Sequence, residues 1–113
     1  MRVVADTGPV NYLLLIGAID LLPRLFGSVL MPEAVRTELR HPGAPALVRA
    51  WADQPPSWLD VRAVDVPTPA DPTLRALDDG EAAAILLADQ VRADLVLMDD
   101  RAPVMVARGM VSR

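Results

Sequence analysis

Arg2-Val3-Val4-Ala5-Asp6-Thr7-Gly8-Pro9 is a short β-branched run that reaches a carboxylate and turns at once into residues that open helices. The first four suit a strand, and Pro9 falls at a permitted place in the first turn of a helix. Strand one therefore ends at Asp6. Near the other end of the chain, Leu95, Val96, Leu97 and Met98 form a continuous apolar run that stops in the same way, at Asp99-Asp100. Two strands that each run out into an acid, with helical segments between them, predict a parallel sheet carrying carboxylates on one edge.

Working outward, an apolar helical stretch over residues 10–16 breaks at Gly17, and a second helix over 21–26 closes at Gly27 in the C-cap position. Residues 28–31 read as the next strand. Pro32 opens a helix over 33–40, ended by His41-Pro42-Gly43, and another covers 46–52. Pro55-Pro56 precedes a third strand over 58–64, and residues 67–72 form a proline-rich loop. A strongly apolar helix over 82–91 follows Leu77-Asp78-Asp79-Gly80-Glu81, the fourth strand covers 94–98, and a last helix is expected over 102–108. The fold class predicted is α/β, a three-layer α/β/α arrangement around a parallel four-stranded sheet, with residues 1–113 as one domain.

Composition narrows the chemistry. Cysteine is absent and there is a single histidine, so any metal must be held by oxygen. All eleven basic residues are arginine, which excludes acid-pocket phosphatases and phosphorylation domains that need a lysine. No Walker loop or G-x-G-x-x-G turn is present. The net charge of −4 opposes general attraction to nucleic acid. The N-terminus lacks the layout of a signal peptide and no apolar run could span a bilayer, so the reading is cytoplasmic.

The acids are the candidate site. Asp6 and Asp99-Asp100 follow strands, Glu81 lies in the first turn of its helix, and Glu38 borders the buried face of the helix over 33–40. Carboxylates brought together repel one another unless a cation or raised pKa values compensate. Each also has a structural explanation. Asp6 can brace the Thr7-Gly8-Pro9 turn, Asp79 and Glu81 suit a helix start, Asp100 suits an N-cap, and Glu38 can be a solvated charge. His41 reads as a helix-end residue meeting terminal carbonyls, and Trp51 and Trp58 as packing. Arg36 and Arg40 either solvate a helix face or meet substrate phosphates.

Four blocks in order, VVADTGPVNYL, MPEAVRTEL, LDDGEAAAILLA and LVLMDDRA, resemble the PIN-domain superfamily, and more narrowly its branch of small VapC-like toxin ribonucleases. The resemblance covers nearly the whole chain. It implies Mg²⁺ or Mn²⁺ bound by Asp6, Glu38, Glu81 and the Asp99-Asp100 pair, with Thr7 holding a water behind them. It also implies metal-dependent endoribonuclease activity on RNA, as the toxin of a type II toxin–antitoxin pair with a small antitoxin and a homodimer. The chain stops at Val111-Ser112-Arg113, short of the fifth strand and further helix of family members, and Pro103 stands where relatives keep a helical residue. The fifth strand is therefore expected to be missing, which leaves the strand of Leu95 to Met98 an open edge for a dimer or partner. A degenerate PIN-like protein-binding module without catalytic activity is the alternative.

Overall fold

A computed structural model describes residues 1–65, 79–98, 104–107 and 110–111, with side chains described through residue 98 except that of Asp79. In chain order the elements are β1 (Val3–Ala5), α1 (Thr7–Leu15), α2 (Leu21–Phe26), β2 (Val29–Pro32), α3 (Glu33–Leu39) and α4 (Ala46–Asp53). After these come β3 (Leu59–Arg62), α5 (Asp79–Val91), β4 (Leu95–Leu97), β5 (Val104–Ala107) and β6 (Met110–Val111). The sheet order is β3-β2-β1-β4-β5-β6, and its first four strands are parallel.

Strand alternation divides the core into two layers. Val3 and Ala5 of β1, Val29 and Met31 of β2 and Leu59 of β3 face α1 to α4, where Val10, Leu14, Leu22, Val35, Leu39 and Val48 complete the packing. Val4, Leu30 and Val96 face the other way and meet Ala84, Leu87 and Ala88 of α5. Small residues on α5 let its backbone approach the sheet closely. Each fully buried valine or leucine contributes about 1.5–3 kcal/mol relative to exposure, so β1, whose three residues are all inaccessible, is the centre of the structure.

Helix ends follow local chemistry. Gly17, with φ 74°, closes α1 in a Schellman motif, Ala18 N–H donating to Leu13 O at 2.8 Å and Gly17 N–H to Leu14 O at 3.2 Å. The same pattern ends α5, where Ala93 N–H donates to Ala88 O at 2.8 Å and Arg92 N–H to Asp89 O at 3.3 Å, but the left-handed residue is Arg92, with φ 53°. Asp94 then pins the start of β4 to the start of β1, its Oδ2 accepting from Arg2 N–H at 2.8 Å. No helix among the described residues is long and apolar enough to cross a membrane.

The end of the chain departs from expectation. Residues 104–107 are a strand, not part of a helix over 102–108, and the fifth strand expected to be missing is present as β5. Val104 and Val106 are β-branched, and Pro103 directly before them is a poor helix interior residue but an acceptable strand neighbour. β5 runs antiparallel to β4, with Leu95 opposite Met105 and Val96 opposite Val104. The edge formed by Leu95 to Met98 is thus covered from within the chain, because pairing with β5 satisfies backbone groups that would otherwise stand open. The ground for placing a dimer or partner contact on that edge is removed. β6 continues the sheet, Ala107 lying opposite Met110.

Candidate functional site at the strand ends

Asp6 is the residue at which β1 becomes α1. Its backbone is extended (φ −91°, ψ 175°), its Oδ1 accepts from Thr7 N–H at 2.7 Å, and its own N–H donates to Leu97 O at 2.8 Å. The bracing role foreseen for it is real. It also places a carboxylate, only 4% exposed, against the end of β4. An acid so buried is retained at a price in desolvation that a turn alone does not require, since an exposed aspartate caps a helix as well.

Glu38 is the second centre. It sits one residue from the end of α3, where the helix dipole disfavours negative charge. Two donors from other elements offset this. Thr7 Oγ1 donates to its Oε2 at 2.8 Å and Gly80 N–H donates to its Oε1 at 3.0 Å. The second of these comes from the first turn of α5, the electropositive end of a helix. Glu38 is therefore half-buried and clamped, not a solvated charge. Each of its oxygens still has acceptor capacity beyond one bond.

The clamp joins Glu38 to the residue after Asp6 and to the residue before Glu81. Thr7 follows Asp6, Glu81 follows Gly80, and Glu38 bonds to both neighbours. Glycine at position 80 leaves room for this closeness, since a β-carbon there would displace the Glu38 carboxylate. Asp99 and Asp100 lie outside the described residues. Hard oxygen donors of this kind fit Mg²⁺ or Mn²⁺ in chemistry. Among the described residues, however, no three of His, Asp and Glu stand close enough to hold an ion.

The remaining candidates have other tasks. Arg36 Nε donates to Ala52 O at 2.9 Å and its Nη1 to Glu33 at 3.1 Å, while Arg40 Nε pairs with Asp53 at 2.8 Å. Both guanidinium groups tie α3 to α4. Trp51 and Trp58 pack with ring centroids 6.0 Å apart against the larger core layer. Among the described residues the His41 ring meets a backbone amide and no helix carbonyl. Its Nδ1 accepts from Gly43 N–H at 2.9 Å, because the Pro42-Gly43 turn offers it a donor.

Sequence reading passed over the amide of Gly80 and the pocket beside the clamp. This pocket, about 340 Å³, is lined by Thr7, Asn11, Glu38, His41, Ala44 and Val48 among others. Asn11 lies four residues after Thr7, hence on the same face of α1, and that spacing was the available signal. A family model described as a PIN domain matches residues 2–110. No curated protein and no solved structure matches the chain.

Proposed function

The chain belongs to the PIN-domain family, and from that premise we propose that it is a metal-dependent endoribonuclease, the toxin of a type II toxin–antitoxin pair. The observation that carries the reading is the two-donor clamp on Glu38, which gathers residues from α1, α3 and α5 beside the buried Asp6.

In this reading Asp6, Glu38 and Glu81, with Asp99 or Asp100, hold Mg²⁺ or Mn²⁺. Bound there, such a cation would supply Lewis acidity for hydrolysis of a phosphodiester. Thr7 holds Glu38 by its hydroxyl and so fixes which lone pairs face the site. The Gly80 amide holds the other oxygen. Asp6, braced by Thr7 N–H, presents its carboxylate from a rigid strand end, where positioning is better than on a loop. In the overall step a water oxygen bonds to phosphorus, the bond from phosphorus to the leaving oxygen breaks, a proton of the water passes to a carboxylate or to solvent, and the leaving oxygen takes up a proton from solvent.

The test is a Mn²⁺ or Mg²⁺ titration of thermal unfolding, followed by cleavage of RNA, with Asp6→Asn as control. Asparagine caps a helix as well as aspartate, so the fold is retained while one ligand charge is lost. A cation at 100 times its Kd raises stability by about 2.7 kcal/mol. Wild type should gain stability and cut RNA, and the variant should do neither. If neither protein responds at millimolar metal, the protein-binding module without catalytic activity takes the place of this reading.

A further inference from the structure

We infer that the exposed apolar face of α1 and α2 is the contact surface for a second copy of this chain, the two related by a two-fold axis that crosses α2 near Pro23. The inference does not rest on the nuclease reading. It places self-contact on the helical layer, away from the β4 edge that β5 covers.

Exposed apolar surface among the described residues is concentrated here. Of seven large hydrophobic side chains left exposed, five fall between residues 12 and 25: Tyr12, Leu15 and Ile16 on α1 and its cap, Leu21 and Leu25 on α2. Tyr12 and Leu25 are the most open of the five, at 62% and 68%. Spacings of three and four set Tyr12, Leu15 and Ile16 on one side of α1, and Leu21 and Leu25 on one side of α2. The turn between the helices is tight, with Ala18 N–H donating to Leu13 O at 2.8 Å and Leu21 N–H to Ala18 O at 3.0 Å, so α2 starts directly beside the end of α1. Val10 and Leu14 bury the opposite side of α1 against the sheet. A helix apolar on nearly every side is normally enclosed on every side, and this one is enclosed toward the core only. Thr7 and Asn11, its polar positions, line the pocket beside Glu38, so a contact through Tyr12, Leu15 and Ile16 leaves that pocket open.

Charge identifies the occupant. No charged residue occurs from Thr7 to Ile19, so the α1 face offers nothing to a strongly acidic or basic partner and has no cluster of cations for RNA or a membrane surface. At the margin stand one acid and one base, Asp20 and Arg24, both exposed. They are four residues apart in the order that favours an ion pair, yet among the described residues neither side chain has a partner, and Asp20 does not cap α2. A surface with one charge of each sign is complementary to itself. Antiparallel packing of α2 on the α2 of a second copy sets Leu21 against Leu25 and Asp20 against Arg24, twice over by symmetry. The net charge of −4 on each copy opposes association in general, and a face without net charge is where that opposition is least.

Sedimentation velocity of the full chain tests this, and charge exchange separates a second copy from any other occupant. At about 100 μM the wild type should sediment as a dimer. Leu25→Asp should sediment as a monomer, with its circular dichroism unchanged because the side chain lies outside the core. Asp20→Arg and Arg24→Asp, which set like charges against each other across the axis, should each self-associate at least about tenfold more weakly than wild type. Mixed in equal amounts, the two should pair with each other about as tightly as wild type pairs with itself, since every charge across the axis again meets its opposite. A dimer that Leu25→Asp leaves intact, or charge variants that fail to pair when mixed, overturns the inference. A wild type that stays monomeric at that concentration also overturns it and leaves the face to a protein of another kind.

Discussion

Gly80→Ala is expected to destabilise this protein, although alanine for glycine in an ordinary helix stabilises by about 0.5–1 kcal/mol. A β-carbon at position 80 would stand 3.0 Å from Glu38 Cδ and 3.2 Å from Oε2, and nearer still to Oε1. The carboxylate ends a flexible side chain and can swing aside with little strain. Its cost lies in the hydrogen bond from Gly80 N–H, which is 3.0 Å long in the native structure. Hydrogen bonds to charged groups are worth about 1.5–3 kcal/mol, so after the helix gain the net loss is about 1–2 kcal/mol. For a chain of this size that is a fall of about 4–8 °C in Tm. The assay is thermal and urea unfolding of a double-mutant cycle with Glu38→Ala. Without the carboxylate the same Gly80→Ala change should become stabilising by about 0.5–1 kcal/mol, giving a coupling of about 1.5–3 kcal/mol. If Gly80→Ala raises the stability of wild type, or the two changes add to within about 0.5 kcal/mol, the clamp is not what holds the site together.

Three further outcomes follow from the same structure. Arg92→Gly should raise stability by about 1 kcal/mol, because Arg92 holds a left-handed φ of 53° that glycine adopts freely, while Gly17→Ala should lower it by a similar amount at the equivalent position of α1; urea midpoints decide both. Arg40→Ala should change stability by less than about 0.5 kcal/mol, since its pair with Asp53 is exposed, whereas Arg36→Ala should cost about 1–2 kcal/mol by leaving Ala52 O without its donor. Neither arginine variant should weaken RNA binding in a filter or fluorescence assay beyond its effect on folding, and a loss of affinity would place that guanidinium on the phosphates. In metal-free buffer Asp6→Asn should be as stable as wild type or more so, as it replaces a buried carboxylate with a neutral side chain that caps the same turn, and added Mn²⁺ should reverse the order.

Local pattern was sufficient for most of the fold. Val3, Val4 and Ala5 could form only a short buried strand, Gly17 and Gly27 marked helix ends through their freedom at positive φ, and Pro32 set the start of α3. The acids at Asp6 and Glu38 were found from their positions relative to strands and helix faces. The segment over 102–108 was misread because a four-residue run such as Val-Met-Val-Ala is too short for periodicity to separate helix from strand. What decides it is the unpaired side of β4, a partner about ten residues away in sequence and invisible to a local window.

The sequence by itself determined a parallel α/β sheet with carboxylates at its strand ends, since that follows from apolar runs, turn residues and their order along one chain. Only the tertiary structure decided that Glu38 is clamped, that Arg36 and Arg40 serve α4, and that a pocket opens beside Asn11. Thr7 and Gly80 stand 31 and 42 residues from Glu38, and hydrogen bonds across such separations depend on how helices cross a sheet, which no local propensity encodes.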